Sequence, residues 1–340
     1  MILDYVDPSF FAMRRSQNCP TRRIALRPGE IITQTRRSID RALDAGTRTH
    51  PAFLILGAQK AGTTSLYEYV NQHPWVVRAK RRETHCLDWR WNSSLSSTEE
   101  RREYCLNEYY HAESMGAYPS LITGDSTPSY LLDYWRVIPR VKEVFDHDGL
   151  RFLIMTRDPI KRAVSHYKMV TSKDGTPEQL AVRGSEWRTS TLEEVFEKDV
   201  RDMKEDGLLP YWDAETKSFD REVFDAFANS REEDEAWERY VTTRVPLNTG
   251  SYAPLARGMY ALQCRRWFRS FDRKKFLVMK LEDMSSSSSS GDDGGGGATG
   301  GGGKGEQWAV DRTMEHLGLP RFTVPDVEVK NKREYRDPLE

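Results

Sequence analysis

Residues 52–64 read Ala52-Phe-Leu-Ile-Leu-Gly-Ala-Gln-Lys-Ala-Gly-Thr-Thr64, and this stretch decides the fold class. A short apolar run ended by glycine predicts a parallel strand buried on both faces. The glycines permit a tight turn on which successive backbone N–H groups converge, and Leu66, Tyr69 and Val70 then open a helix. The start of a helix carries a partial positive charge, and Lys60 adds a full one. Lys60, Ala61, Gly62, Thr63 and Thr64 therefore form a candidate cradle for a phosphate-like anion, with two hydroxyls at the first helical turn. The pattern is not the nucleotide-hydrolase loop GxxxxGK[ST], because the lysine precedes the second glycine by two positions. Its charge moves to the apex of the turn, and no Ser or Thr directly follows a lysine to hold Mg²⁺.

Two more apolar runs, Arg151–Thr156 and Phe276–Met279, repeat the strand signal. Helical spacing recurs over Thr191–Asp206, Ala253–Phe271 and Trp308–Leu317, the last closed by Gly318 and Pro320. Strands alternating with helices predict an α/β fold, a single P-loop-like domain with a central parallel sheet flanked by helices. This domain is expected over 51–340, behind an Arg-rich N-terminal arm at 1–50. Within it, 186–241 reads as an acidic helical insertion and 285–305 as a Ser/Gly low-complexity loop.

Composition narrows the classes further. With 340 residues and 38% hydrophobic content, the chain can bury a large core, which excludes a disordered or fibrous protein. The longest apolar run, Ala52 to Ala58, falls far short of the ~20 residues of a membrane span. Four cysteines without a CxxC pair fit neither a disulfide scaffold nor a zinc site, and no metal is expected. The net charge of −1 hides a separation: 186–241 holds 18 acidic and 8 basic residues, so it carries −10 against +9 elsewhere. A basic body suits a polyanionic ligand or a phosphate-bearing cosubstrate.

A second site begins at Thr156-Arg157-Asp158-Pro159, where an arginine ends a strand and a proline opens a helix. Ser165 follows about two helical turns later, so a guanidinium and a hydroxyl can grip one phosphate from two sides. A third candidate lies in Arg78-Ala-Lys-Arg81-Arg82-Glu83-Thr-His85-Cys-Leu-Asp88. A hydroxyl acceptor must lose a proton as it attacks, and a placed carboxylate such as Glu83 can take it. His85 can orient Glu83 or neutralise developing charge, and Asp88 can hold His85 or bind substrate. Arg81 and Arg82 would meet an acidic chain.

Gly57-Ala-Gln-Lys-Ala-Gly-Thr-Thr-Ser-Leu66, followed by His73-Pro74, resembles the 5′-phosphosulfate loop of the sulfotransferases that use 3′-phosphoadenosine 5′-phosphosulfate (PAPS). The likeness is greatest to the Golgi carbohydrate enzymes, of the heparan 3-O-/N-sulfotransferase and chondroitin GalNAc-4-sulfate 6-O-sulfotransferase types. Glu83-x-His85-x-x-Asp88 matches the heparan 3-O group, and Arg157-x-Pro159 with Ser165 matches the family's 3′-phosphate site. Gly124-Asp-Ser-Thr-Pro-Ser-Tyr130 resembles a further loop, with Ser126 where heparan enzymes carry lysine. Gly250-Ser-Tyr252, Trp267 and Glu282-Asp283 resemble the stretch before the late helix. Lys332, Arg333 and Tyr335 resemble the loop that closes over the nucleotide, although Lys332 occupies its glycine position.

The resemblance implies PAPS as cosubstrate, no metal, and a polysaccharide or glycoconjugate acceptor rather than nucleic acid. It also implies the Golgi lumen, although no signal or anchor is visible in the chain. Lys60 and Glu83 would then be catalytic together with His85, while residues 60–64, Arg157, Ser165, Lys332, Arg333 and Tyr335 would bind the nucleotide. Two rivals stand beside this reading: a non-catalytic binder of acidic polysaccharide, and an ATP-dependent phosphotransferase.

Overall fold

The computed structural model describes residues 49–324, except 119–120, 174–179, 182–185, 214, 217, 247–249 and 285–304. The expected N-terminal arm, the Ser/Gly loop and the segment with Lys332, Arg333 and Tyr335 lie outside the described residues, apart from a few flanking positions.

Strand β1 (Phe53–Gly57) is buried along its whole length, as its unbroken apolar run requires. It leads through the glycine turn into α1 (Thr63–Val70), which buries Leu66, Tyr67, Tyr69 and Val70. Strand β2 (Val76–Arg78) follows, and then α2 (Thr98–Tyr109), started by a reciprocal Ser97–Glu100 capping box. Next come β3 (Ile122–Ser126), α3 (Tyr134–Val144) and β4 (Arg151–Thr156). Helix α4 (Pro159–Thr171) is capped by the Asp158 carboxylate, with Pro159 in its first turn. Helices α5 (Leu192–Glu205), α6 (Arg221–Phe227) and α7 (Arg231–Thr243) precede α8 (Tyr260–Ser270), β5 (Phe276–Lys280) and α9 (Glu306–Leu317). Among the described residues no helix is long and apolar enough to cross a membrane.

The five strands form one parallel sheet in the order β2-β3-β1-β4-β5. This is the α/β architecture expected from the strand and helix signals. The chain moves from β1 to one side for β2 and β3, then to the other for β4 and β5. The turn after β1 thus sits at the topological switch point, where parallel sheets open a crevice beyond their carboxyl ends.

Two strands of this sheet differ from expectation, and the acidic segment read as helical also holds a short antiparallel pair, Trp212–Asp213 with Ser218–Phe219. β2 was not anticipated, and Gly124-Asp-Ser126, read as part of a loop, belongs to the fully buried β3. Neither carries a long apolar run: β2 has three residues, and β3 reads Ile-Thr-Gly-Asp-Ser. Gly124 is demanded by close approach, since a Cβ there would lie 2.5 Å from the Phe53 ring. Gly124→Ala is accordingly expected to cost about 1–3 kcal/mol, seen as a lower denaturation midpoint with an unchanged slope.

The acidic helices pack on the body. Trp237 and Tyr240 of α7 are buried, and Glu233 and Asp234 receive Arg265 at 2.7 and 3.2 Å. On α5 the buried Asp199 accepts N–H bonds from Leu255 and Ala256 at 2.6 and 3.2 Å, which anchors the segment before α8.

Candidate active site

At the switch point, the β1 turn is tied to the neighbouring strands. Ala58 N–H donates to the Met155 carbonyl of β4 at 2.7 Å, and Leu131 N–H donates to the Leu56 carbonyl at 2.8 Å. Gly62 begins α1 at φ +88°, and a Cβ there would lie 2.6 Å from Leu281. No side chain caps this helix start and no acidic residue occupies its first turn. Its leading N–H groups thus lack both an intrahelical acceptor and a competing carboxylate, which suits an anion. Lys60 stands at the apex with φ +68°, a left-handed conformation that costs a non-glycine residue about 1–3 kcal/mol.

Arg157 leaves the end of β4 and reaches this turn, its guanidinium donating to the Lys60 carbonyl at 3.3 Å. The sequence-predicted phosphate cradle and the arginine 97 positions later are therefore neighbours. Arg157 is held in turn by Tyr260, whose hydroxyl accepts from Arg157 N–H at 3.2 Å and donates to its carbonyl at 2.8 Å. Glu282 accepts from Asp158 N–H at 2.9 Å. Ser165 lies half-buried on α4.

Two participants in this framework were not expected at the site: Arg162, and Tyr260, whose helical spacing reads as core. Arg162 is fully buried, donating to the Gln59 carbonyl at 3.2 Å and to the Pro254 carbonyl. An arginine on a helix ordinarily reads as solvent-facing, so only its backbone acceptors reveal it. With Arg157 on Lys60 and Arg162 on Gln59, two consecutive loop carbonyls are bound by guanidinium groups.

Across the switch point, Glu83, His85 and Asp88 form one cluster. The His85 ring meets the Asp88 carboxylate at 2.9 Å through Nδ1 and Glu83 Oε2 at 3.7 Å through Nε2. Asp88 has no exposed side-chain surface; its oxygens also accept from the Ser129 hydroxyl at 2.6 Å and Trp89 N–H at 2.7 Å. Burial opposes a charge on His85, but the bonds to Asp88 and Glu83 outweigh it and push the imidazole up to about 9. Burial also opposes the Glu83 charge, yet His85 and Arg82 hold its carboxyl below the usual value. Glu83 keeps 37% of its side chain exposed, so solvent screens these interactions while leaving the carboxylate reachable. Arg81 and Arg82 are exposed beside it, Arg82 at 3.4 Å from Glu83. His85 itself sits at φ +55°, left-handed like Lys60.

The 127–131 turn after β3 joins the two halves. Thr127 Oγ accepts from His85 N–H at 3.3 Å, Ser129 holds Asp88, and Leu131 bonds to β1. Among the described residues no group of three or more His, Cys, Asp or Glu is arranged to hold a metal ion. At neutral pH the arrangement presents an anion cradle on one side and a carboxylate–imidazolium pair on the other. Chemically, such an arrangement offers N–H donors to an anion on one side and a carboxylate to a proton on the other.

Comparison with known proteins places these motifs in context. The sulfotransferase domain matches residues 50–289, well over half of the chain. Mouse heparan sulfate glucosamine 3-O-sulfotransferase 5 is 31% identical over 120 residues, 35% of this chain and 31% of that protein. Human heparan sulfate glucosamine 3-O-sulfotransferase 3A1 is 30% identical over 131 residues, 38% of this chain and 28% of that protein. The matched region spans less than a third of the length of either relative. A sulfotransferase from Alicyclobacillus acidocaldarius aligns with a TM-score of 0.45 and 19% identity, over 85% of this chain and 88% of that one. With the domain match running from the glycine turn through Arg157 to β5, the chain belongs to the sulfotransferase domain family.

Proposed function

We propose that this chain moves a sulfuryl group from PAPS to a hydroxyl, or an amine, of a glycan, a glycosaminoglycan-like or other acidic polysaccharide. The observation that carries the reading is the contact of Arg157 with the Lys60 carbonyl, which supports assigning both candidate phosphate-gripping elements to one nucleotide. PAPS supplies an activated sulfuryl group on a phosphate leaving group. The N–H groups at the start of α1, with Thr63 and Thr64, hold its 5′ end, and Arg157 with Ser165 holds its 3′-phosphate. Lys332, Arg333 and Tyr335 are assigned to the nucleotide on the resemblance alone. Lys60 places its ammonium where negative charge grows on the departing oxygen.

On the facing side Glu83 takes the acceptor proton. His85, held as imidazolium by two carboxylates, orients Glu83 and offsets charge developing at the sulfuryl group. Of the two roles open to Asp88, its burial favours holding His85 over touching substrate. Arg81 and Arg82 are left to meet the acidic acceptor. Transfer of this kind relies on positioning and charge stabilisation, as phosphoryl transfer does. The heparan sulfate named for the relatives makes it the first acceptor to try. A Golgi location belongs to the same reading and rests on the family resemblance.

Thermal unfolding with 3′-phosphoadenosine 5′-phosphate tests the donor half without an acceptor. A ligand bound only by the folded state at about 100 times its Kd adds about 2.7 kcal/mol. A clear rise in Tm without Mg²⁺ is expected; a response to Mg-ATP alone would instead favour an ATP-dependent phosphotransferase. Retention of heparan sulfate with no transfer of label from PAPS would favour a non-catalytic binder.

A further inference from the structure

The end of β3 holds an unusual group. Asp125 is fully buried, and no lysine or arginine pairs with it among the described residues. Its carboxylate accepts only neutral donors: Thr84 N–H at 3.2 Å, the Thr84 hydroxyl at 2.7 Å and the Thr127 hydroxyl at 2.8 Å. A buried carboxylate without a cation is costly to keep, and a packed apolar side chain would suit β3 better. What Asp125 grips explains its presence. Thr84 lies between Glu83 and His85, and Thr127, while donating to Asp125, accepts the His85 N–H at 3.3 Å. Tyr130 completes the grip, its hydroxyl meeting Thr84 Oγ at 3.2 Å and accepting Leu87 N–H at 3.2 Å.

The residue so held is the left-handed His85. Strained backbone persists only where surrounding contacts over-determine it. Relaxation of His85 would swing its ring out from between Glu83 and Asp88. We propose that Asp125, acting through Thr84 and Thr127, is a positioning residue that locks His85 in its strained conformation and so aligns Glu83 as the base. The inference rests on the function proposed above for Glu83 and His85. The charged and titratable groups facing Asp125 are His85, Cys86, Tyr67, Tyr110 and Tyr130, from four separate segments. Of these His85 alone carries positive charge, so loss of the Asp125 charge acts mainly on His85.

The test reads the His85 ring directly. NMR titration of the histidines, with His85→Gln to assign the signal, is compared for the wild type, Asp125→Asn and Thr127→Val. Affinity for 3′-phosphoadenosine 5′-phosphate and transfer of label from PAPS to heparan sulfate are measured on the same samples. Both variants are expected to bind the nucleotide within about threefold of wild type, because the cradle is untouched. Both are expected to titrate His85 about one pH unit or more lower, as the ring leaves its carboxylates. Transfer should fall about tenfold or more, and the double variant should be no worse than the weaker single, because both cut one connection.

An unmoved His85 titration in a folded variant overturns the proposal, since a purely scaffolding residue would change stability alone. Should Asp125→Asn not fold, Thr127→Val decides, as it removes only the bridge to His85. Glu83→Gln run in parallel separates the two levels. Full transfer in Glu83→Gln sinks the assignment of the base, whereas an inactive Glu83→Gln beside an unmoved His85 titration sinks only the role of Asp125.

Discussion

Replacing Lys60 by alanine is expected to lower turnover by about 10²-fold or more while the protein stays folded. The effect is electrostatic. Lys60 stands at the apex of a turn whose own other donors are backbone N–H groups and the Thr63 and Thr64 hydroxyls, so in the proposed reaction its ammonium is the full charge the loop itself brings to a departing phosphate. Truncation at Cβ keeps the backbone demand unchanged, since alanine at φ +68° bears the same penalty as lysine. Lys60→Gly is the informative companion, because it relieves the left-handed strain and removes the same charge. If charge is decisive, both variants are equally slow and Lys60→Gly is the more stable. Turnover within about threefold of wild type in Lys60→Ala would remove the lysine from the chemistry.

The second large effect is at Glu83. Glu83→Gln keeps the shape and loses the proton acceptor, so kcat/KM should fall by about 10²–10⁴-fold with little change in stability. The pH dependence carries the sign of each role. In its proposed role Glu83 acts deprotonated, and its carboxyl is held low, so activity should vanish only as pH falls below the usual carboxylate range. In its proposed role His85 acts protonated, so activity should decline as pH rises through about 9. His85→Gln should abolish that alkaline limb and move the acid limb up toward the ordinary carboxylate value. Stability follows the same group. The folded pKa lies above the ordinary 6.5, so this contribution is complete below 6.5 and is lost as pH rises through about 9. An alkaline limb that survives in His85→Gln would assign it to another group.

How much of this was legible from residues alone depended on whether a signal was local. The strand–turn–helix at 53–70 was legible because apolar run, glycine and helical spacing follow one another directly. Arg157 was legible as a strand-end arginine before a helix-starting proline. Strands β2 and β3 were not, because burial there is imposed by neighbouring strands and not advertised by apolar side chains. Thr123, Asp125 and Ser126 are all buried in β3, where polar type argues for a loop. Arg162 and Tyr260 escaped for a related reason: their partners are carbonyls and an N–H distant in the chain, and backbone leaves no trace in residue type. Asp88 could be singled out, but the contacts that bury it, which favour holding His85 over touching a ligand, are visible only in the structure.

The 127–131 turn has a practical consequence for engineering. Because it supports both the β1 turn, through the Leu131 backbone, and the Glu83–His85–Asp88 cluster, through Thr127 and Ser129, a change that displaces its backbone will read out as a compound defect, unlike the side-chain exchange Thr127→Val. Libraries meant to test the proposed glycan contacts should leave those five positions untouched and vary the solvent-facing pair Arg81 and Arg82 instead.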